Sequence, residues 1–406
     1  MGIGTRTAAV WVLVCLHSAS TAAQAKVMTL SDVLARAREQ APQIVSARLA
    51  VEEARGRLVG ASVRLRANPQ LDAAVGNRSG QDTRFTDFEV AIGQAFEPAA
   101  RRSARIDSAS AAVSQSTANV DEAVRTVLRS AASAYYRVLH ADERIRLLEN
   151  AYSLAANVYS TADRRFQAGD IAVLDVNIAR ASLARVRADR EAAEASKALA
   201  LAELRELLRL DRDASVGGSL SPLGERNLNA ALEASSARPE LRMLDADIQE
   251  AEAELRLGQS FSRPDYGLGV RYSREEGDQI VLGGMTVTLP MFAKGQEERA
   301  VGSARAARLR AELDAARARI RGEVQAAFDA YSRRLAAVRV LEMDAIPGLD
   351  ENERLATRSF DVGQLGLPEL LLIRREILET RFQYVDALLE AALAQADLDA
   401  SAAMLR

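Results

Sequence analysis

The sequence predicts a mostly α-helical protein with a small β part, in which long antiparallel coiled-coil helices are combined with four β-strands. Three observations support this fold class. Alanine is frequent and aromatic residues make up only 4 % of the 406 residues, which is typical of long, closely packed helices. Two pairs of short segments with alternating apolar residues indicate β-hairpins. The whole pattern occurs twice, which indicates an internal repeat.

Residues 1–25 have the features of a secretory signal peptide. Arg6 supplies a positive charge, an apolar run follows it, and the segment ends in Ala-Gln-Ala, which matches a cleavage site. The apolar run is shorter than the ~20 residues that a membrane-spanning helix requires. Cys15 follows Val14 inside this segment, a context that argues against lipidation. We therefore expect an exported chain without a disulfide.

Residues 26–216 and 217–406 are predicted to form two structural repeats of one plan. Each begins with a short helical pattern, continues through a proline, Pro42 or Pro239, and proceeds to a longer helical pattern. Proline is well tolerated in the first turn of a helix, so each proline is expected to begin the longer helix.

Each repeat contains one predicted β-hairpin, at about residues 70–96 and 265–290. The segments FEVAIGQAF, YGLGVRY and VLGGMTVTL alternate with the period of two that is typical of strands, and polar turns containing glycine separate the strands. Seven of the 18 aromatic residues lie in or beside the hairpins: Phe85, Phe88, Phe96, Phe261, Tyr266, Tyr272 and Phe292. This enrichment is expected of strands that face lipid between interfacial aromatic belts. The alternative is two ordinary hairpins, each with one face toward solvent and the other toward a protein core.

A very long helical hairpin is predicted after each β-hairpin, at about residues 97–209 and 296–406. In the first, apolar residues recur at alternating steps of four and three from Val120 to Phe166, which is the seam of a coiled coil. A single helix from Glu97 to Phe166 would be about 105 Å long.

The helices of each repeat have matching lengths. In the first repeat, helices at 42–66 and 171–209 placed end to end equal the long one. In the second, one uninterrupted helix from Gln296 to Asp361 is predicted beside two shorter ones. A fibrous spacer would have no reason to match these lengths twice, so we expect one long helix beside two stacked shorter helices in each repeat.

Four strands are too few to close a barrel, and unpaired strand edges are not tolerated in lipid. Two chains would give eight strands, whose interior is filled by side chains, whereas three would give twelve strands and an open lumen. If the hairpins lie in a membrane, the sequence therefore favours a homotrimer with a 12-stranded β-barrel. The helices would continue it as an α-barrel about 100 Å long.

Two similar short turns join the long helices, FQAGDIAVLD and FDVGQLGLPE. Gly169 and Gly363 supply a backbone that can reverse the chain direction. Asp175 and Glu369 lie in the first turn of the returning helix, where a negative charge interacts favourably with the helix dipole. Each turn is therefore predicted to be the far tip of a helical hairpin.

The twofold repeat, the paired hairpins and the two turns together resemble the TolC-type outer-membrane efflux channel family, over nearly all of the chain after the signal. The segment QAFEPAARRSAR resembles the CzcC-like cation-efflux branch, although Ala99 and Ala100 stand where that branch has two glycines. The resemblance implies a passive exit duct in the outer membrane with a long periplasmic extension. It implies a protein that is not an enzyme and has no cofactor.

The partners implied by the resemblance are two further copies of the chain, a periplasmic adaptor protein, an inner-membrane pump of the RND type and outer-membrane lipid. The net charge of −3 argues against nucleic acid. His140 is the only histidine after the signal, and a lone histidine without cysteine partners indicates a surface residue rather than a metal ligand.

The resemblance also implies two sets of site residues at the tips. The adaptor-contact residues would be Ala168, Gly169, Asp170, Ile171, Val362, Gly363, Gln364 and Leu365. Phe360, Glu369 and Asp175 would narrow the entrance. Leu365 and Leu372 stand where some relatives have a basic residue and a second acid. A single ring of Glu369 carboxylates is therefore the most that the resemblance implies.

Three alternatives remain open from the sequence. The chain could be the outer-membrane duct of a type I protein secretion system, a periplasmic adaptor, or a structural coiled-coil protein without a channel. An adaptor would have one helical hairpin between lipoyl-like and β-barrel segments, whereas this chain has two hairpins in tandem. The cargo is not specified, because the pump selects it.

Overall fold

The structure is a computed structural model that describes residues 27–80, 84–210, 215–220 and 224–405. The predicted signal peptide lies outside the described residues. The first repeat contains α1 (Leu30–Gln40), α2 (Pro42–Ser62), β1 (Gln70–Ser79), β2 (Arg84–Phe96), α3 (Ala99–Gln167) and α4 (Val173–Leu208). The second contains α5 (Leu228–Ser235), α6 (Pro239–Ser260), β3 (Asp265–Glu275), β4 (Asp278–Thr288), α7 (Gln296–Val340), α8 (Leu349–Asp361) and α9 (Leu367–Ser401). The predicted fold class, mostly helical with four strands, is confirmed.

The starts of the shorter helices follow local sequence signals. Thr29 and Asp32 form a reciprocal capping box at the start of α1, which satisfies two backbone amides that have no partner within the helix. Pro42 and Pro239 are the first residues of α2 and α6, as predicted. Proline suits this position because the first amide of a helix makes no intrahelical hydrogen bond.

The four strands form one antiparallel sheet in the order β1-β2-β3-β4, so the two hairpins join through β2 and β3. Val90 pairs with Ala73 on one side and with Tyr272 on the other. Within the described part of the chain, β1 and β4 each have only one strand neighbour. Both edges of the sheet therefore carry backbone groups available to another chain.

Opposed residues of neighbouring strands point to the same side of the sheet, so the registers define two faces. One is an exposed apolar face, formed by Leu71, Val75, Phe88, Val90, Ile92, Phe96, Tyr266, Leu268, Val270, Val281, Met285 and Val287. The opposite face carries small and charged residues, among them Asp72, Glu89 and Arg271. The predicted alternation thus holds over most of the sheet, although Phe85, Ile280 and Leu282 are apolar residues on the opposite face.

The long helix α3 contains 69 residues and organises the helical part. It packs against α2 and α4, which lie end to end along it, and against α6 and α9 of the second repeat; α7 packs against α6 and α9. The coiled-coil seam is largely buried between Val127 and Ala162, whereas Phe166 at its end is 43 % exposed. The expected arrangement of one long helix beside two shorter ones is therefore found in the first repeat.

The second long helix is interrupted, so the prediction of one unbroken helix from Gln296 to Asp361 was wrong. A π-helical turn occupies Leu341–Ala345 and a 3₁₀ turn occupies Ile346–Gly348, after which α8 begins. Pro347 is the cause, since it has no amide hydrogen and its ring collides with a carbonyl of the preceding turn. The π-helical turn before Pro347 is a wider helical turn, a form that occurs mostly as a single turn within an α-helix.

The segment between α4 and α5 is hydrogen-bonded to the middle of the long helices α3 and α7. Met28 and Val216 form a parallel bridge near the N-terminus. The Tyr135 hydroxyl of α3 donates to the carbonyl of Gly217 at 2.9 Å, and the Tyr331 hydroxyl of α7 donates to the carbonyl of Gly224. The two tyrosines stand in the matching contexts AYYRVL and AYSRRL, so this contact follows the internal repeat.

Among the described residues, no helix combines the length and the apolar character that crossing a bilayer requires.

Candidate functional site: the tips of the helical hairpins

The tip turn that follows α3 has the geometry of a Schellman motif. The amide of Gly169 donates to the Phe166 carbonyl at 2.9 Å, and the amide of Asp170 donates to the Arg165 carbonyl at 2.9 Å. These bonds satisfy two carbonyls that the end of a helix leaves without partners. Gly169 has a φ of +84°, a conformation that glycine adopts without steric cost.

The tip turn that follows α8 repeats this geometry. The amides of Gly363 and Gln364 donate to the carbonyls of Phe360 and Ser359 at 3.1 and 2.8 Å, and Gly363 has a φ of +76°. The two predicted reversals at Gly169 and Gly363 are thus equivalent in structure as well as in sequence.

One apolar cluster, here called the tip cluster, joins the two tips. Its buried members come from four helices and are Val158, Ala162, Val176, Ala179, Ala356, Leu367 and Leu370. Ile171, Phe360 and Leu365 pack against it and are partly buried. Because both turns contribute to one cluster, the two tips form a single packed unit in each chain.

The residues predicted to contact an adaptor divide into two groups. Ala168, Gly169, Asp170, Val362, Gly363 and Gln364 are exposed, whereas Ile171 and Leu365 are half-buried against the tip cluster. Val362 is the largest exposed apolar side chain of the set, with 63 % of its surface accessible. The arrangement combines a rigid apolar base with an outward surface of small and polar groups.

The three residues predicted to narrow the entrance lie within the same unit. Asp175 and Glu369 are both the third residue of their helix, α4 and α9, where the helix dipole favours a negative charge. Glu369 is exposed and Asp175 is half-buried. The half-buried ring of Phe360 lies beneath the guanidinium of Arg165, 5.3 Å from the ring centroid.

Arg165 is a residue that sequence reasoning missed. It belongs to the first tip and Phe360 to the second, so their cation–π contact is a second link between the turns. The matching position of the second turn is Ser359, so the repeat itself contained no signal for this contact.

His140 is not the plain surface residue that was predicted. Its side chain is mostly covered, and Nε2 lies 2.6 Å from Oδ1 of Asp386 on α9, which also accepts from Arg144 at 2.9 Å. His140 therefore belongs to a polar contact between the two repeats. No group of three or more His, Cys, Asp or Glu side chains in the described part of the chain could hold a metal ion.

Comparisons with known proteins agree with this architecture. Residues 33–208 match the family "Outer membrane efflux protein". The cobalt-zinc-cadmium resistance protein CzcC of Cupriavidus metallidurans is 25 % identical over 329 residues, which cover 79 % of this chain and 77 % of that protein.

Two solved structures have the same fold. The CmeC outer membrane channel of Campylobacter jejuni superposes with a TM-score of 0.77 at 16 % identity, over 92 % of this chain and 85 % of CmeC. The MtrE outer membrane channel of Neisseria gonorrhoeae gives 0.71 at 20 % identity, over 93 % of this chain and 89 % of MtrE. The proteins of this family are channels and not enzymes, and they act as the outer-membrane component of tripartite efflux systems. Residues 33–208 thus match the outer membrane efflux protein family, and the chain with its repeated hairpins and open-edged sheet has the fold of the outer membrane channels CmeC and MtrE.

Proposed function

We propose that this channel is a passive exit duct for divalent metal cations, fed by an inner-membrane pump of the RND type through a periplasmic adaptor. The four-stranded sheet supports the proposal that the chain contributes to a duct. Its exposed apolar face suits lipid, and its two open edges suit pairing with identical sheets in a trimer. Lipid contact by this face, and a periplasmic position for the helices, are parts of the proposal.

The choice of metal cations is supported by the relative CzcC, whose name refers to resistance to cobalt, zinc and cadmium. A duct need not coordinate its cargo, because the pump supplies both the selection and the energy. The resemblance of QAFEPAARRSAR to the cation-efflux branch points in the same direction.

The adaptor is proposed to dock on the exposed residues of the two tips, Ala168 to Asp170 and Val362 to Gln364. Both sets lie at turns of the same geometry above one shared tip cluster, which would present them as a firm surface. Ile171 and Leu365 would support this surface from below. Phe360, Glu369 and Asp175 are proposed to narrow the entrance of the closed duct, with adaptor binding moving the tip helices apart.

The test is deletion of the gene in its own host, followed by complementation. Loss of the channel should lower tolerance to Co²⁺, Zn²⁺ or Cd²⁺ and raise the cell-associated metal, and the intact gene should restore both. Unchanged metal tolerance together with new sensitivity to organic compounds would indicate a drug duct instead. Loss of a secreted protein from the medium would indicate the type I secretion alternative.

Docking at the tips has a separate test. The substitution Gln364→Trp places a bulky side chain on the proposed surface at an exposed position without positive φ, and should abolish crosslinking to the adaptor while leaving the trimer intact. The exposed residue Arg256, far from the tips on α6, offers the control Arg256→Trp, which should crosslink normally. Normal crosslinking of the Gln364 variant would contradict docking at this turn.

A further inference from the structure

A groove of about 980 Å³ lies between the helices of one chain, next to the tip cluster. α3, α4, α8 and α9 all contribute to its lining, and its apolar wall includes Leu147, Val186, Ile377, Leu378 and Phe382. This volume is in the range of sites that hold a drug-sized molecule, and the lining combines the apolar wall with charged and polar side chains.

One cation in the groove has no adequate protein partner. Nη2 of Arg374 donates to Oγ1 of Thr357 at 3.1 Å, but its Nε and Nη1 atoms are buried and reach no hydrogen-bond acceptor among the described residues. Burial lowers the pKa of Arg374, while nearby Glu353 and Asp361 raise it. A guanidinium nevertheless stays protonated in proteins, so a largely unpaired positive charge lies in this wall.

Glu353, one of the two acids that raise the pKa of Arg374, is paired with another arginine, and Asp361, the second, forms no ion pair with Arg374 among the described residues. Arg381, about two turns further along α9, pairs with Asp350 at 2.6 Å and with Glu353 at 3.2 Å. Asp189 and Glu379 also line the groove, but in the described part of the chain neither forms an ion pair with Arg374. Arg374 is therefore a positively charged group beside the apolar wall of the groove.

We propose that this groove binds an amphipathic organic anion, with its carboxylate on the guanidinium of Arg374 and its apolar body against the wall formed by Ile377, Leu378 and Phe382. A charge-assisted hydrogen bond from a buried guanidinium is among the stronger polar interactions available to a ligand. The lining comes from the helices of one chain and includes Pro368 and Leu372, which lie next to the proposed entrance residue Glu369. A molecule bound there would touch both α8 and α9.

The test uses the full-length trimer in lipid nanodiscs and the fluorescent carboxylate dansylglycine. Residues 27–405 contain no tryptophan, so the protein adds little background emission. Fluorescence polarisation, corrected for empty nanodiscs, should give saturable binding to the unmodified protein. Arg374→Ala should weaken it at least about tenfold, in line with the loss of a charged hydrogen bond, and Arg374→Lys should weaken it less.

Two controls separate the proposal from simpler explanations. Arg354→Ala removes an exposed arginine of α8 that pairs with Glu351 outside the groove, and should leave binding unchanged. The neutral amide of the probe should bind the unmodified protein at least about tenfold more weakly than the acid. The comparison of acid and amide needs no variant, so it tests whether the carboxylate is recognised even if Arg374→Ala fails to form a trimer.

The proposal is overturned if the probe does not saturate, which would mean that water or a neighbouring copy fills the groove. It is also overturned if acid and amide bind equally, or if Arg374→Ala binds as the unmodified protein does. The proposed function is tested by metal tolerance of the deletion strain, which does not depend on binding of the probe. The failure of this inference and the failure of the proposed function are therefore distinguishable.

Discussion

Single residues at the tips are constrained by backbone geometry more than by contacts. Gly169 and Gly363 adopt positive φ, and a side chain added at either would meet nothing within 4 Å. The requirement for glycine is therefore conformational, since an L-residue in this region costs roughly 1–2 kcal/mol. This could be read from the sequence, because a glycine at the end of a helical pattern is a strong local signal.

Gly363→Ala is expected to destabilise the tip by about 1 kcal/mol, because alanine has to adopt a φ of +76°. Limited proteolysis at the tip and hydrogen exchange of the amides that follow α8 would measure the effect. Gly322→Ala is the matched control. It lies inside α7 with open space around it, so it should stabilise the helix by roughly 0.5–1 kcal/mol. Equal effects at both glycines would contradict the conformational argument.

Glu369→Gln should lower the preference of the reconstituted trimer for cations over anions, since three carboxylates near the entrance would be neutralised. Reversal potentials in a salt gradient measure this directly. Because exposed charges are screened, the difference should shrink as the ionic strength rises. Glu53→Gln on α2, distant from the tips, should behave like the unmodified channel. An unchanged reversal potential for the Glu369 variant at low salt would remove this residue from the entrance.

Other residues of the site could not be foreseen from the sequence. The link between Arg165 and Phe360 joins positions almost half the chain apart, and His140 is paired with Asp386 across the two repeats. Local patterns contain no information about such pairs. They depend on which faces of α3 and α9 meet, and this is determined by the packing of the whole bundle.

At the scale of elements, the two long helices differ in continuity. α3 is unbroken over 69 residues, whereas the corresponding helix of the second repeat is divided between α7 and α8. The apolar period is the same on both sides of the break, so counting lengths predicted one helix. Pro347 was visible in the sequence, but its effect competes with packing against α9, and the pattern alone does not decide the outcome.

Pro347→Ala should convert the break into a more continuous helix, because alanine restores an amide donor and removes the clash of the ring. Hydrogen exchange of residues 341–349 should slow by about fivefold, as expected for amides that gain a hydrogen bond worth roughly 1 kcal/mol. The central turns of α3, which have no such break, provide the internal reference. Exchange that stays as fast in the variant would show that Pro347 is not the cause.

At the scale of the whole molecule, the sheet has one mainly apolar face and one face of mostly small and charged residues, on which Phe85, Ile280 and Leu282 are the large apolar exceptions. This division was largely predictable, since the period of two fixes the face of every residue once a register is known. The register between β2 and β3 was not predictable, because more than 160 residues separate these strands and no turn sets their offset. The hairpins were therefore foreseen, but not the way in which they join.

Val90→Lys places a charge on the exposed apolar face and should reduce assembly in the outer membrane. Near the middle of a bilayer such a lysine costs about 2–4 kcal/mol. Ala91→Lys, the next residue on β2, is the matched control, because it points to the opposite face beside Asp72 and Arg271. The yield of heat-modifiable trimer in outer-membrane fractions measures the difference. Equal yields for both variants would contradict the proposed orientation of the sheet.

The interruption at residues 341–348 also has a mechanical meaning. In a ring of three chains, each chain would contribute one continuous long helix, α3, and one long helix that is interrupted between α7 and α8. Bending would concentrate at the joints, where fewer regular hydrogen bonds resist it. Because the tip cluster holds α3 and α8 together at the far end, movement of that end should bend the α7–α8 helix sharply at residues 341–348 and bend α3 gradually along its length.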